Sequence, residues 1–107
     1  MAAKLYGADN APLKIQFITD PHYYSRKGGT EGKAYEKAEA KSQKIIKDSD
    51  LVIKAGFDLL CADTSTDIVV LAGDTTRDGE LASHAEFIEM LRDLKKRGKR
   101  VYVCLLY

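Results

Sequence analysis

Tryptophan is absent from this chain of 107 residues, and cysteine, proline and histidine occur only twice each. Each scarcity excludes something. Cys61 and Cys104 stand too far apart for a metal knuckle and are too few for the disulfide framework of a small secreted domain. They are expected to behave as small buried hydrophobes. Neither sign of charge dominates: 17 basic residues face 16 acidic ones, so the composition carries no electrostatic footprint for nucleic acid or an anionic membrane. No apolar run approaches the ~20 residues that a membrane-spanning helix requires. The segment from Met1 to Ala11 lacks the apolar stretch of a secretory leader, which makes a cytoplasmic location the default expectation. No internal repeat, low-complexity tract or linker interrupts the chain, and its length suits one modest core, so residues 1–107 are read as a single domain.

Against this background two short motifs stand out, each at the end of an apolar run. Leu13 to Thr19 has the β-branched and aromatic content of a strand and is bounded by Pro12 and Pro21. It ends in Asp20-Pro21-His22. Residues i and i+2 of an extended segment project to one side, so Asp20 and His22 can aim a carboxylate and an imidazole at one point, as metal ligands do. The second run, Asp67 to Ala72, is almost continuously apolar, the pattern of a strand buried on both faces of a parallel sheet. It leads into Gly73-Asp74-Thr75-Thr76-Arg77-Asp78-Gly79. Ligands of open α/β sheets collect outside the carboxyl ends of the strands, so Asp20, His22 and Asp74 are expected to meet at one sheet edge. A right-handed helical crossover would make the two strands parallel neighbours.

Asp-x-His after one strand and Gly-Asp-x-x-x-x-Gly after the next resembles the calcineurin-like metallophosphoesterase superfamily. The resemblance runs from about Lys14 to Val103. It implies that Asp20 and His22 hold one metal, that Asp74 bridges two, and that Gly73 and Gly79 occupy turn positions. The cofactors implied are two divalent ions, manganese, iron or zinc, and the implied reaction is hydrolysis of a phosphate mono- or diester. The family then places Gly-Asn-His with Asp or Glu after its third strand. Here Arg100 to Val103 continues as Cys104-Leu105-Leu106-Tyr107, and a later Gly-His-x-His has no counterpart. The resemblance therefore implies an incomplete, amino-terminal part of the family's αββα sandwich, about three parallel strands with flanking helices, and little activity for this chain alone.

The remaining segments read as scaffold. Tyr23 to Thr30 is expected to be a solvated, glycine-containing loop; its glycines and Lys33 do not fit a phosphate-binding P-loop, since Lys27 and Ala34 stand where Gly and Ser or Thr are required. Ala34 to Asp48 is rich in helix formers with a thin stripe of Ala34, Ala38, Ile45 and Ile46. Leu51 to Leu60 forms a more apolar helical stretch in which Gly56 is expected to mark close packing. In the last helix Ser83 and Glu86 fit a capping box, Leu81, Ala85, Ile88, Leu91 and Leu94 supply the apolar repeat, and Gly98 supplies the stop. His84 reads as a surface or capping residue remote from the motifs. A second reading of the chain is a non-catalytic α/β module that self-associates or binds a partner through an open sheet edge at Val101 to Leu106. A phospho-acceptor receiver domain fits less well, because the acidic pair and the later Lys that its chemistry needs are not in order.

Overall fold

A computed structural model describes residues 2–6, 12–29, 31–41, 48–76 and 81–104. Gly79, Ile45, Ile46, Leu105 and Leu106 lie outside these described residues. The chain is α/β. Strand β1 (Ala2–Tyr6) pairs antiparallel with β2 (Pro12–Thr19), and β2, β3 (Ile68–Ala72) and β4 (Arg100–Cys104) run parallel in one open sheet in the order β1-β2-β3-β4. The three parallel strands agree with the sequence reading; β1 is an addition to it. Helix α1 (Lys33–Lys41) precedes α2 (Ser49–Ala62), which connects β2 to β3, and α3 (Leu81–Lys96) connects β3 to β4.

Register decides which side chains share a face. Gln16 lies beside Val69 and Val69 beside Val101; Ile18, Leu71 and Val103 align in the next row. This face carries the core, where Val69 and Leu71 pack with Phe57 of α2, Phe87 and Leu94 of α3, and Tyr23. Phe57 meets Phe87 edge to face at 5.5 Å between centroids, a preferred aromatic geometry. Both crossover helices therefore lie on one face. Successive crossovers of one hand that move the sheet in one direction must place their helices on the same side. On the other face Phe17, Val70 and Tyr102 form a row, with Phe17 38% and Tyr102 54% exposed.

Three expectations change at this level. The buried side of α3 is Ser83, Phe87 and Leu94, supported by Met90 and Leu91, whereas Leu81, Ala85 and Ile88 face outward. The bulky Phe87 turns the helix toward the sheet, so that of the expected stripe only Leu91 and Leu94 pack on the core. Gly56 marks no close contact. A Cβ built there would meet nothing within 4 Å, and the residue lines a cleft of about 420 Å³ between β2 and α2. Of the two free thiols, Cys61 packs against the core as expected, but Cys104 is exposed at the end of β4.

The amino-terminal ends of the strands are closed by a polar knot. The Asp63 carboxylate, just past α2, accepts from the Ser65 amide at 2.8 Å, from both the Ser65 and Thr66 hydroxyls, and from Lys14 Nζ at 2.9 Å. These donors hold its pKa well below the usual carboxylate range. Lys99 Nζ donates to the Asp63 and Thr66 carbonyls, joining β4 to the same turn. The opposite end of the sheet is left for the motifs. At the end of α3, Gly98 takes a φ of +83° while the Lys99 amide returns to the Leu94 carbonyl, which is the stop expected from the sequence.

Candidate metal centre

The pairing of β2 with β3 continues past the strands and carries the two motifs with it. The Asp20 amide donates to the Ala72 carbonyl at 2.9 Å, His22 to Asp74 at 3.1 Å and Tyr23 to Thr75 at 3.0 Å. Tyr23 and Thr76 then form an isolated parallel bridge. Backbone geometry alone thus sets Asp-Pro-His against Gly-Asp-Thr-Thr at the carboxyl edge of the sheet. Asp20, His22 and Asp74 each offer one ligand atom there, all within 4.8 Å of one another. The two carboxylates are exposed and His22 is half-buried.

The backbone is strained to achieve this. Asp20 and His22 both adopt left-handed φ values, 48° and 47°, and are the only non-glycine residues to do so among those described. Each such residue costs on the order of 1 kcal/mol and persists only when its surroundings hold it. Asp20 is held by the second motif, its Oδ1 accepting the Asp74 amide at 3.1 Å. Gly73 makes that approach possible. Its φ is +81°, its amide is fixed by the Cys104 carbonyl at 3.1 Å, and a Cβ on it would lie 2.2 Å from Asp20 Oδ1. A side chain at position 73 would have to push the Asp20 carboxylate aside.

The segment after His22 is not the solvated loop expected from its composition. Tyr23, Tyr24 and Ser25 are buried, and Arg26 to Gly28 close a short 3-10 turn whose Lys27 amide donates to the Ser25 hydroxyl. Tyr23 is fully buried against Phe87, and its hydroxyl donates to Glu86 at 2.5 Å. Burial and this carboxylate acceptor push the phenol pKa above its usual range, while the same hydrogen bond holds Glu86 below its own. The Ser25 amide donates to Ser83 Oγ at 3.0 Å, Lys27 pairs with Glu86 at 3.3 Å, and Arg26 Nε reaches both oxygens of the buried Asp50 at 2.9 and 3.1 Å. Ser83 and Glu86 therefore do not form a capping box. Both reach across to the first motif's loop.

His84 is also misplaced by sequence reasoning, because its Nε2 shares a 3.3 Å hydrogen bond with Thr76 Oγ1, two residues past Asp74. A helical signal could have found these residues only if the apolar face had been centred on Phe87, since Ser83, His84 and Glu86 flank it within one turn. No protein-family model matches this chain, and no curated protein matches it.

The residues fit a divalent cation on an observation separate from their clustering. The Nδ1 atom of His22 is buried and has no hydrogen-bond partner among the described residues. Buried polar atoms are rarely left so, and a bound ion is one recognised reason. Two carboxylates with one imidazole suit borderline metals such as manganese, iron or zinc.

Proposed function

We propose that this chain carries part of a metal-dependent phosphoesterase site, in which Asp20 and His22 hold one divalent ion and Asp74 reaches toward a second. The observation that supports this reading is the meeting of the three ligand atoms within 4.8 Å on a backbone strained at Asp20 and His22. When bound, divalent ions would supply Lewis-acid polarisation of a phosphoryl oxygen and lower the pKa of water. The chain's own residues do the rest. Asp74 presents its carboxylate while its backbone amide orients that of Asp20. The carboxyl edge of the sheet leaves both carboxylates open to solvent and hence to a phosphate ester. Three side chains cannot complete two coordination shells, so the reading includes slow turnover.

Titration calorimetry with manganese or zinc tests it. Weak binding in the native chain is expected, reduced at least tenfold in Asp74→Asn, with hydrolysis of an aryl phosphate near background. A native chain that takes up no divalent ion would sink the metal reading. Robust turnover abolished by Asp74→Asn would instead overturn the claim that further ligands are needed. A second reading, a module that associates through its sheet, is favoured by Tyr102 and Val103, which stand 54% and 43% exposed on the edge strand β4.

A further inference from the structure

Helix α3 supplies no candidate ligand, yet one turn of it reaches the segments that follow both motifs. Ser83 accepts from the Ser25 amide and Glu86 accepts from the Tyr23 hydroxyl, so the first-motif segment is tied at two points within three residues of His22. His84 is hydrogen-bonded to Thr76, so the second-motif segment is tied two residues beyond Asp74. Phe87 completes the grip by packing on the Tyr23 ring. Tyr23 and Thr76 are themselves bridged to each other, so the contacts of Glu86, Phe87 and His84 converge on one rung of backbone. Its Tyr23 directly follows His22, and its Thr76 lies two residues past Asp74.

We propose that Glu86 and His84 are positioning residues for the Asp20–His22–Asp74 cluster, with α3 acting as a clamp that keeps the two motif loops in register and His22 in its left-handed conformation. The inference rests on the metal reading for its consequence but not for its geometry. A left-handed histidine relaxes toward ordinary backbone unless neighbouring contacts prevent it, and the nearest side-chain restraint C-terminal to His22 is Tyr23. Tyr23 is fixed from three sides, by the Thr75 carbonyl on its amide, by Phe87 on its ring and by Glu86 on its hydroxyl. Removing Glu86 frees the last of these and also releases Lys27. Outer groups that orient metal ligands typically change affinity by about 10- to 100-fold when lost, and Glu86 acts one residue further out, through Tyr23.

The test compares the native chain with Glu86→Ala, Glu86→Gln, His84→Ala and, as a control on the outer face of the same helix, Glu89→Ala. Among the described residues Glu89 pairs with Arg92. Two readouts are taken on each protein: the intraresidue amide-to-Hα NOE of His22 without metal, which is strong only at positive φ, and manganese affinity by calorimetry. In Glu86→Ala the strong His22 NOE is expected to weaken, and affinity to fall about tenfold. Glu86→Gln, which keeps an acceptor for Tyr23, should restore most of both, while Glu89→Ala should change neither. His84→Ala is expected to lower affinity with a smaller effect at His22. Should Glu86→Ala prove unfolded, Tyr23→Phe, which deletes only the hydroxyl, carries the same expectation. If the native chain binds no metal while the NOE still depends on Glu86, the clamp stands and the metal reading fails. A His22 NOE unchanged in both Glu86→Ala and Tyr23→Phe would overturn the clamp.

Discussion

At the scale of single residues, the site depends on one missing side chain and two unfavourable backbone angles. Gly73→Ala is expected to destabilise the fold by about 2 kcal/mol or more, because a left-handed alanine costs roughly 1–2 kcal/mol and its Cβ must also displace the Asp20 carboxylate. Chemical denaturation would measure it, with His22→Asn alongside. Asparagine tolerates the left-handed region, so that variant should keep or raise stability while losing metal affinity. A Gly73→Ala protein as stable as the native one would mean that the two motifs do not approach as described. That Asp20, His22 and Asp74 meet at one sheet edge was legible in the sequence, because their types and strand-end positions carry chemical information. The strain at Asp20 and His22 was not, since neither residue type announces a positive φ and the contacts that impose it come from positions 73 and 74.

At the scale of elements, α3 couples packing to protonation. Glu86 lies below its ordinary value of 4.5 in the folded chain, chiefly through the Tyr23 hydroxyl, with Lys27 and Lys54 adding to the effect and burial opposing it. A depressed carboxylate stabilises the fold fully above its unfolded pKa, and that contribution is lost as pH falls through the folded value. The Tyr23→Phe variant should therefore be less stable than the native chain by about 1.5–3 kcal/mol at pH 7, the range for a hydrogen bond to a charged group. The gap should narrow below pH 4.5. Thermal unfolding of both proteins across pH 3–7 would show it, and a gap independent of pH would mean that the carboxylate does not accept this hydrogen bond. Asp63 shifts in the same direction, so comparison with the variant, not the native curve alone, isolates Glu86.

The strands β2, β3 and β4 and the existence of α2 and α3 could be read from apolar runs and helix formers. The strand β1 could not, because Ala2, Ala3 and Lys4 carry little β preference and the strand exists by pairing with β2. The orientation of α3 failed for a related reason. Periodicity locates a stripe, but the sheet decides which stripe is buried, and Phe87 outweighs Leu81 and Ile88 once Tyr23 and Phe57 surround it.

At the scale of the molecule, among the described residues both crossover helices, α2 and α3, lie on one face of the sheet. Strand β3 is apolar at every position, a composition that parallel strands have when both faces are covered. With a formal net charge of +1 there is little repulsion to keep copies apart. Light scattering across concentration is expected to show association through the face of Phe17, Val70 and Tyr102 and the adjoining edge of β4, where apolar burial contributes about 25 cal/mol per Å². Tyr102→Lys and Val103→Lys should each shift the chain toward monomer. A monodisperse native monomer at high concentration would show that this surface is stable against water as it stands. The sequence reading placed an edge strand at Val101 to Leu106, of which Leu105 and Leu106 lie outside the described residues; that both crossover helices lie on one side was not legible, because it is a property of topology.

The carbonyls that hold the two motifs in place belong to Ala72, Asp74, Thr75 and Cys104, and a carbonyl is supplied by whatever amino acid stands at its position. Three of those positions contribute no candidate ligand, so much of the machinery that aligns the cluster is written in the backbone and is blind to codon changes. Position 73 is the reverse case, where any change that adds a Cβ strikes Asp20. Genetic drift through this edge of the sheet is thus unevenly filtered. The side chains of Ala72, Thr75 and Cys104 can vary without removing an aligning bond, while a single nucleotide change in the Gly73 codon that alters its residue removes the space on which Asp20 depends.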